Sequence, residues 1–374
     1  MKLICISIIA VLMVLQLTSC ADPKTLEKIG MITTVGYDKL DEGIHTTMLI
    51  LETDPKSMES TNVISTDGLT SKGARIKANQ KSPKKLMSGQ LRVALYSKDV
   101  AEDGLINLAD TLSRDHSISD LTYLAVVDGK ASDVLGRKYE QFSDPGQYVF
   151  KEIEQNIKGE TIPSPTLHEM LHDYYSVGVD PILPLIKMEN DIISIAGMAL
   201  LKNDKMVGTI TPTQAFYVKL VNDHYEAGNF EMILRNGENA SLMKGQDSSS
   251  QVAIALDTIK SKSKIQLADQ EENEFDLKIS MNARLQEINR TIDLTNPKNL
   301  KLLDEKISES MKKEIEELIK SCQSVGSDVF GFGEVYRSSV PHSDLTRKKW
   351  HSMYKNMKVN VGVDFTIVRT GVVE

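Results

Sequence analysis

Between Phe275 and Leu285 every second residue is apolar: Phe275, Leu277, Ile279, Met281, Ala283 and Leu285 alternate with Asp276, Lys278, Ser280, Asn282 and Arg284. Successive side chains of a strand point to opposite faces, so this run fits a strand buried on one side and wet on the other. Antiparallel sheets commonly show that one-sided exposure, and an antiparallel sheet is the expectation here. Asn296 and Pro297 then read as the cap and first residue of a helix. Leu300, Leu303, Ile307, Met311, Ile315, Leu318 and Cys322 follow at spacings of three and four, a single apolar stripe along one face. Pairs such as Glu309 with Lys313 and Glu316 with Lys320 fall on the opposite face. Val359, Val361, Val363, Phe365 and Ile367 resume the alternation. Strand, amphipathic helix and strand in this order predict a sheet covered on one face.

The rest of the chain mixes the same two periodicities. Ile29 to Tyr37 and Ile44 to Leu51 flank Asp41-Glu42-Gly43 as a hairpin, and the polar stretch from Asp54 to Asp67 reads as loop. Ser71 to Lys81 is helical before Pro83, Leu91, Val93 and Leu95 form a strand, and Asp99 caps a helix reaching Leu112. Leu121 to Val127 is a buried strand closed by Asp128-Gly129, with Ser132 to Tyr139 helical after it. A second hairpin runs from Ile192 to Leu201, through Asn203-Asp204, and back along Met206 to Ile210, and Asp247 to Ser250 is a turn-rich link. Pro181 and Pro184 interrupt the pattern between Gly178 and Pro184, the best candidate boundary. The expected fold is α+β, with several mixed domains of antiparallel sheet packed with helices on one face, divided into residues 20–190 and 191–374.

The amino terminus carries an address. Lys2 precedes an apolar run from Leu3 to Leu17. Its roughly fifteen residues are too few to cross a bilayer comfortably and suit a cleaved export signal. Leu17-Thr18-Ser19-Cys20 then resembles the lipobox of bacterial lipoproteins. Residues 1–19 are therefore expected to be a signal peptide, and Cys20 to receive an S-diacylglycerol and an N-acyl chain, palmitate among them. Such an anchor would hold the domain on the outer face of a membrane. No later stretch approaches eighteen apolar residues.

The formal net charge of −8 disfavours nucleic acid and anionic surfaces as partners of the whole molecule. With 41% hydrophobic and 26% charged residues the composition is that of an ordinary globular chain. Cys5 leaves with the signal and Cys20 is spent on lipid, so Cys322 remains alone and no intrachain disulfide is expected.

One stretch looks catalytic. His168-Glu169-Met170-Leu171-His172 is a literal H-E-x-x-H, which on a helix puts two imidazoles on one side to hold zinc, with the glutamate activating a water. A metalloprotease also needs a third ligand. Residues 175 and 178 are Tyr and Gly, and Glu189, the remaining candidate, lies beyond Pro181 and Pro184 near a hairpin. The expected reading is therefore two exposed helix histidines, with no metal, no cofactor and no catalytic residue assigned. Asp115 beside Arg114 and His116 reads as a turn-stabilising ion pair, Cys322 as a packed thiol, and Trp350 with Tyr354 as core. Gly331-Phe332-Gly333 lacks the third glycine and preceding strand of a dinucleotide fingerprint.

Several stretches, taken in order, resemble the Ger(x)C family, the lipoprotein C subunits of nutrient germinant receptors. They begin at Cys20 and Leu26 to Asp38, continue through Gly73-Ala74, Leu91-Arg92-Val93, Leu112 to Asp115 and Gly129-Lys130-Ala131, and extend to Ile195 to Ala199 and Lys205 to Gly208. Phe330-Gly331-Phe332-Gly333-Glu334, Trp350 and Arg369-Thr370-Gly371 complete the series. Ala21-Asp22-Pro23-Lys24 departs from the tryptophan and charged run that many members carry after the cysteine, and the H-E-x-x-H is not part of the family pattern. The resemblance implies a non-enzymatic subunit in the inner membrane of the spore that works with a large A membrane subunit and a transporter-like B subunit in nutrient-triggered germination. A surface zinc protease using His168, Glu169 and His172, and a solute-binding lipoprotein acting alone, are the competing readings.

Overall fold

The computed structural model describes residues 28–52, 60–223, 228–234, 251–290 and 292–370. Cys20, the signal segment and the Asp247 to Ser250 link lie outside the described residues.

Among these residues the strands form two sheets. The larger has nine strands: β1 (Ile29–Lys39), β2 (Ile44–Glu52), β3 (Ser60–Gly68), β4 (Lys85–Met87), β5 (Val93–Ser97), β6 (Tyr123–Val127), β7 (Ile182–Glu189), β8 (Ile192–Lys202) and β9 (Lys205–Ile210). Their order is β3-β2-β1-β5-β6-β7-β8-β9, with β4 alongside β1. The central neighbours β1, β5, β6 and β7 run parallel, and antiparallel hairpins close both ends. The first hairpin turns at Gly43, whose φ of +86° suits a residue without a side chain.

Helices α1 (Ser71–Lys81), α2 (Lys98–Asp103), α3 (Ile106–Ser113), α4 (Ala131–Gly136), α5 (Pro145–Lys158) and α6 (Leu167–Tyr175) supply the connections. They cover both faces of this sheet. Val93, Leu95, Ala125 and Val127 belong to one apolar cluster with Val134, Val149 and Ile153, whereas Ala94, Tyr96, Leu124 and Val126 belong to another with Ala78, Ala101, Ala109 and Met170. Alternate residues of one strand face opposite ways, so the two clusters are the two sides of the sheet. All of β5 is buried, as a parallel strand sandwiched between helices should be.

The second sheet has the order β10 (Asn229–Leu234), β11 (Val252–Asp269), β12 (Glu274–Ile288), β13 (Lys358–Thr370). Here the alternation from Phe275 works as expected: the odd residues are buried and the even ones face outward. The antiparallel expectation holds for β11 with β12, but β13 runs parallel to β12, so the sheet is mixed. The reason is the crossover helix α8 (Pro297–Val325), capped by Asn296, which returns the chain to the same end of the sheet. Its stripe from Leu303 to Cys322 is buried against the sheet. The one-face covering predicted from the sequence is thus found on this sheet, and the nine-stranded sheet adds a second covered face. Helix α7 (Pro212–Asn222), opened by a Thr211–Gln214 capping box, packs between β8 and β11 and joins the two sheets. Helices α9 (Phe332–Ser339) and α10 (Arg347–Tyr354) close the structure.

Side chains finish the exposed strand edges. On β13, Ser308 Oγ accepts from the Phe365 N–H at 3.1 Å and Asp304 Oδ1 from the Ile367 N–H at 3.0 Å. On β3, Lys77 and Lys81 donate to the carbonyls of Asp67 and Ser65 at 2.8 and 3.1 Å. Occupied edge groups cannot template pairing with another chain.

Two sequence expectations need correction. The Asp54 to Asp67 stretch is not all loop, because residues from Ser60 onward form β3. The helix expected from Asp99 to Leu112 is two helices capped first by Ser97 and interrupted at Gly104, where φ is +130°.

Candidate functional site

The residues of the Phe330 to Glu334 stretch meet at a buried polar junction. Asp328, fully buried after the left-handed Gly326 cap of α8, accepts through Oδ1 from the Phe332 N–H at 3.3 Å. Its Oδ2 accepts from the Gly333 N–H at 3.0 Å and from Trp350 Nε1 at 2.9 Å. Asp180, 2% exposed, takes the N–H of Asp328 at 2.9 Å, the N–H of Asn203 at 2.7 Å and His351 Nε2 at 3.0 Å. Burial pushes the Asp328 carboxyl up to about 7 and nearby Asp180 adds to this, against the lowering effect of the three donors. A buried carboxylate persists only when its lone pairs are satisfied, and here the partners come from four separate segments of chain. The junction therefore fixes the β8–β9 turn, the end of α8, α9 and α10 relative to one another.

Gly333 sits where a side chain has no room. A Cβ there would come within 2.4 Å of Gly178 Cα and 2.5 Å of Trp350 Cε2. Trp350 and Tyr354 are 1% and 0% exposed, with ring centroids 6.0 Å apart, and belong to the core as expected. A second carboxylate works in the same way at the other end of the chain. Asp38 accepts from the N–H groups of Ala131 at 2.6 Å and Ser132 at 2.9 Å and so caps α4. Two residues earlier, a Cβ on Gly36 would approach Ala131 Cβ to 2.9 Å. The motif residues Gly36, Asp38, Ala131, Gly333 and Trp350 thus hold secondary structure together.

The H-E-x-x-H does lie on a helix, α6, capped by Thr166. His168 and Glu169 are exposed, and the two imidazole centroids are 6.4 Å apart. His172 Nδ1 is 3.1 Å from Asp173 Oδ1, which raises the imidazole, while burial pushes the Asp173 carboxyl up to about 6. Glu189 ends β7 and pairs with Lys187 at 2.6 Å. Among the described residues no three His, Cys, Asp or Glu side chains are grouped to hold a metal ion. Glu169, His172 and Asp173 line an open cleft of about 520 Å³ together with Ile265, Phe330 and Glu334.

The remaining candidates have structural roles. Cys322 is buried on α8 and its thiol is pushed up to about 12 by burial. Asp115 is held at about 2: burial works against this, but hydrogen bonds from Ser117 and Arg75 win. Arg114 pairs with Asp110 within its own helix turn. No helix among the described residues is long and apolar enough to cross a membrane.

Comparisons with known proteins agree along the whole length. Residues 22–188 match the family described as the spore germination protein N-terminal domain, and residues 196–371 match the spore germination B3/GerAC-like C-terminal family. The chain is 26% identical over 360 residues to the spore germination protein GerQC of Bacillus cereus, covering 96% of each. It is 24% identical over 297 residues to the spore germination protein YndF of Bacillus subtilis strain 168, covering 78% of this chain and 70% of that one. The fold is that of the GerBC protein crystal structure, with a TM-score of 0.51 at 14% identity over 89% of this chain and 96% of the other. On these matches, which span both of its regions, the chain belongs to the GerC-type family of spore germination proteins.

Proposed function

We propose that this protein is a non-enzymatic, lipid-anchored subunit of a nutrient germinant receptor, held by Cys20 on the outer face of the spore inner membrane. It acts there with an A-type and a B-type membrane subunit. The observation that carries the reading is the pairing of Leu17-Thr18-Ser19-Cys20 at the amino terminus with a match to spore germination proteins from residue 22 to residue 371. The buried Asp38, Asp180 and Asp328 are each occupied by backbone or ring N–H donors, which gives these three carboxylates structural roles. Membrane attachment confines the domain beside its partners, which raises their effective concentration without new contacts. The test is a deletion strain: its spores should fail to respond to the nutrients that trigger the parent, and restoring the full chain should restore the response.

A further inference from the structure

Positive charge gathers in a hollow of about 670 Å³ where the Asn203-Asp204 turn, the end of α6 and helix α10 meet. Lys202, Arg347, Lys348 and Lys355 all line it, in a chain whose formal net charge is −8. Asp204 is the single carboxylate on the wall, and its Oδ2 is turned away to accept from the Ile106 N–H at 3.3 Å.

Two of the four cations lie against the body of the fold. Lys202 Nζ lies 3.1 Å from where a side chain on Gly326 would begin, at the negative carboxyl end of α8. Arg347 donates through Nη2 to the carbonyls of Tyr174 and Ser176 and rests 4.9 Å above the Tyr174 ring. Lys348 and Lys355 are different. Both are exposed, Lys348 on α10 and Lys355 seven residues later at its carboxyl-terminal cap, and neither has an ion pair among the described residues. Beside them the Asn203 side chain carries a buried Oδ1 with no hydrogen-bond partner, and a turn of the amide would present its NH₂ instead.

We propose that this hollow binds an anion bearing a phosphate group, with Lys348 and Lys355 as the contacting cations and Lys202 and Arg347 as positive charge behind them. Four cations against one carboxylate leave an excess of positive charge, and lysine ammonium groups bind phosphate oxygens as point charges. The same chemistry could be offered by a free phosphate compound or by a phospholipid headgroup. Attraction of this kind weakens with salt, because charges farther apart than about 8 Å are screened at physiological ionic strength.

The test uses the full chain in a non-ionic detergent. Titrations would be followed by calorimetry with inorganic phosphate, with short-chain phosphatidylglycerol and with short-chain phosphatidylcholine, at matched ionic strength. Saturable binding of phosphate identifies a free phosphate ligand, and binding of phosphatidylglycerol without phosphate identifies a headgroup; either supports the proposal. In both cases Lys348→Gln with Lys355→Gln should weaken binding by roughly tenfold or more, and Lys348→Arg with Lys355→Arg should retain it. No binding of either anion, equal binding of phosphatidylcholine, or undiminished binding by the glutamine variant overturns the proposal.

Discussion

Asp180 and Asp328 hold each other twice: the Asp180 N–H donates to the Asp328 carbonyl at 2.8 Å, and the Asp328 N–H donates to Asp180 Oδ2 at 2.9 Å. The residues are 148 apart in sequence. One stands just before β7 of the large sheet, the other just after the crossover helix of the small one. Removing the Asp328 carboxylate would leave the N–H groups of Phe332 and Gly333 and the indole Nε1 of Trp350 without their acceptor. Asp328→Ala should therefore lower stability by about 3 kcal/mol or more, read as a lower midpoint in urea denaturation.

Glycine positions give a graded series. A Cβ on Gly333 runs into Gly178 Cα and the Trp350 ring, whereas a Cβ on Gly129 would meet nothing within 4 Å and faces only the strain of φ +140°. Gly333→Ala should destabilise by roughly 3 kcal/mol, from the overpacking of backbone against backbone, and Gly129→Ala by about 1–2 kcal/mol. Equal losses at the two positions would contradict the packing described for the junction.

Stability should peak on the acidic side of neutrality. Burial raises the Asp328 carboxyl to about 7 and the Asp173 carboxyl to about 6, and the Asp173 hydrogen bond raises His172. In all three cases the folded protein binds protons more tightly than the unfolded chain, so stability is lost as pH rises through the folded values. Asp115, held at about 2, has the opposite sign and contributes stability that disappears as pH falls below the ordinary carboxylate range. The thermal midpoint should rise from about pH 8 to about pH 4 and fall below that. Asp328→Asn, which cannot titrate, should flatten the slope between those values.

The α6 histidines should prove dispensable. His168 is exposed and His172 pairs only with its neighbour Asp173 among the described contacts. His168→Ala with His172→Ala should change stability by less than about 1 kcal/mol and leave nutrient-triggered germination intact. Elemental analysis of the purified chain checks the same point: stoichiometric zinc lost in His172→Ala would restore the protease reading.

Much of the fold could be read from periodicity where one face is wet. β12 and α8 were legible because each shows a single hydrophobic period over many residues. β11 was hidden because Thr258, at φ +51°, sits in a bulge that moves the buried positions from even residues (Val252, Ile254, Leu256) to odd ones (Ile259, Ser261). β3 reads as polar because it is an edge strand, and its exposed Val63 gives no core signal. Helix α5 carries an ordinary cap and first residue in Asp144 and Pro145, a local signal sufficient to find it. The junction of Asp180, Asp328 and His351 has no local pattern, since its members come from distant segments. Its one trace in the sequence is the glycine-rich stretch and tryptophan of the family resemblance. The H-E-x-x-H shows the converse, a local pattern that no group of three metal-binding side chains completes among the described residues.

The lipid anchor is the central claim, and Cys20→Ala in the native gene tests it most directly. Spores carrying the variant would be challenged with nutrients, with immunoblots of membrane and soluble fractions alongside. The account predicts that the protein accumulates at its full folded level, leaves the membrane fraction, and no longer supports nutrient-triggered germination. Normal germination by spores whose Cys20→Ala protein is found only in the soluble fraction would contradict it.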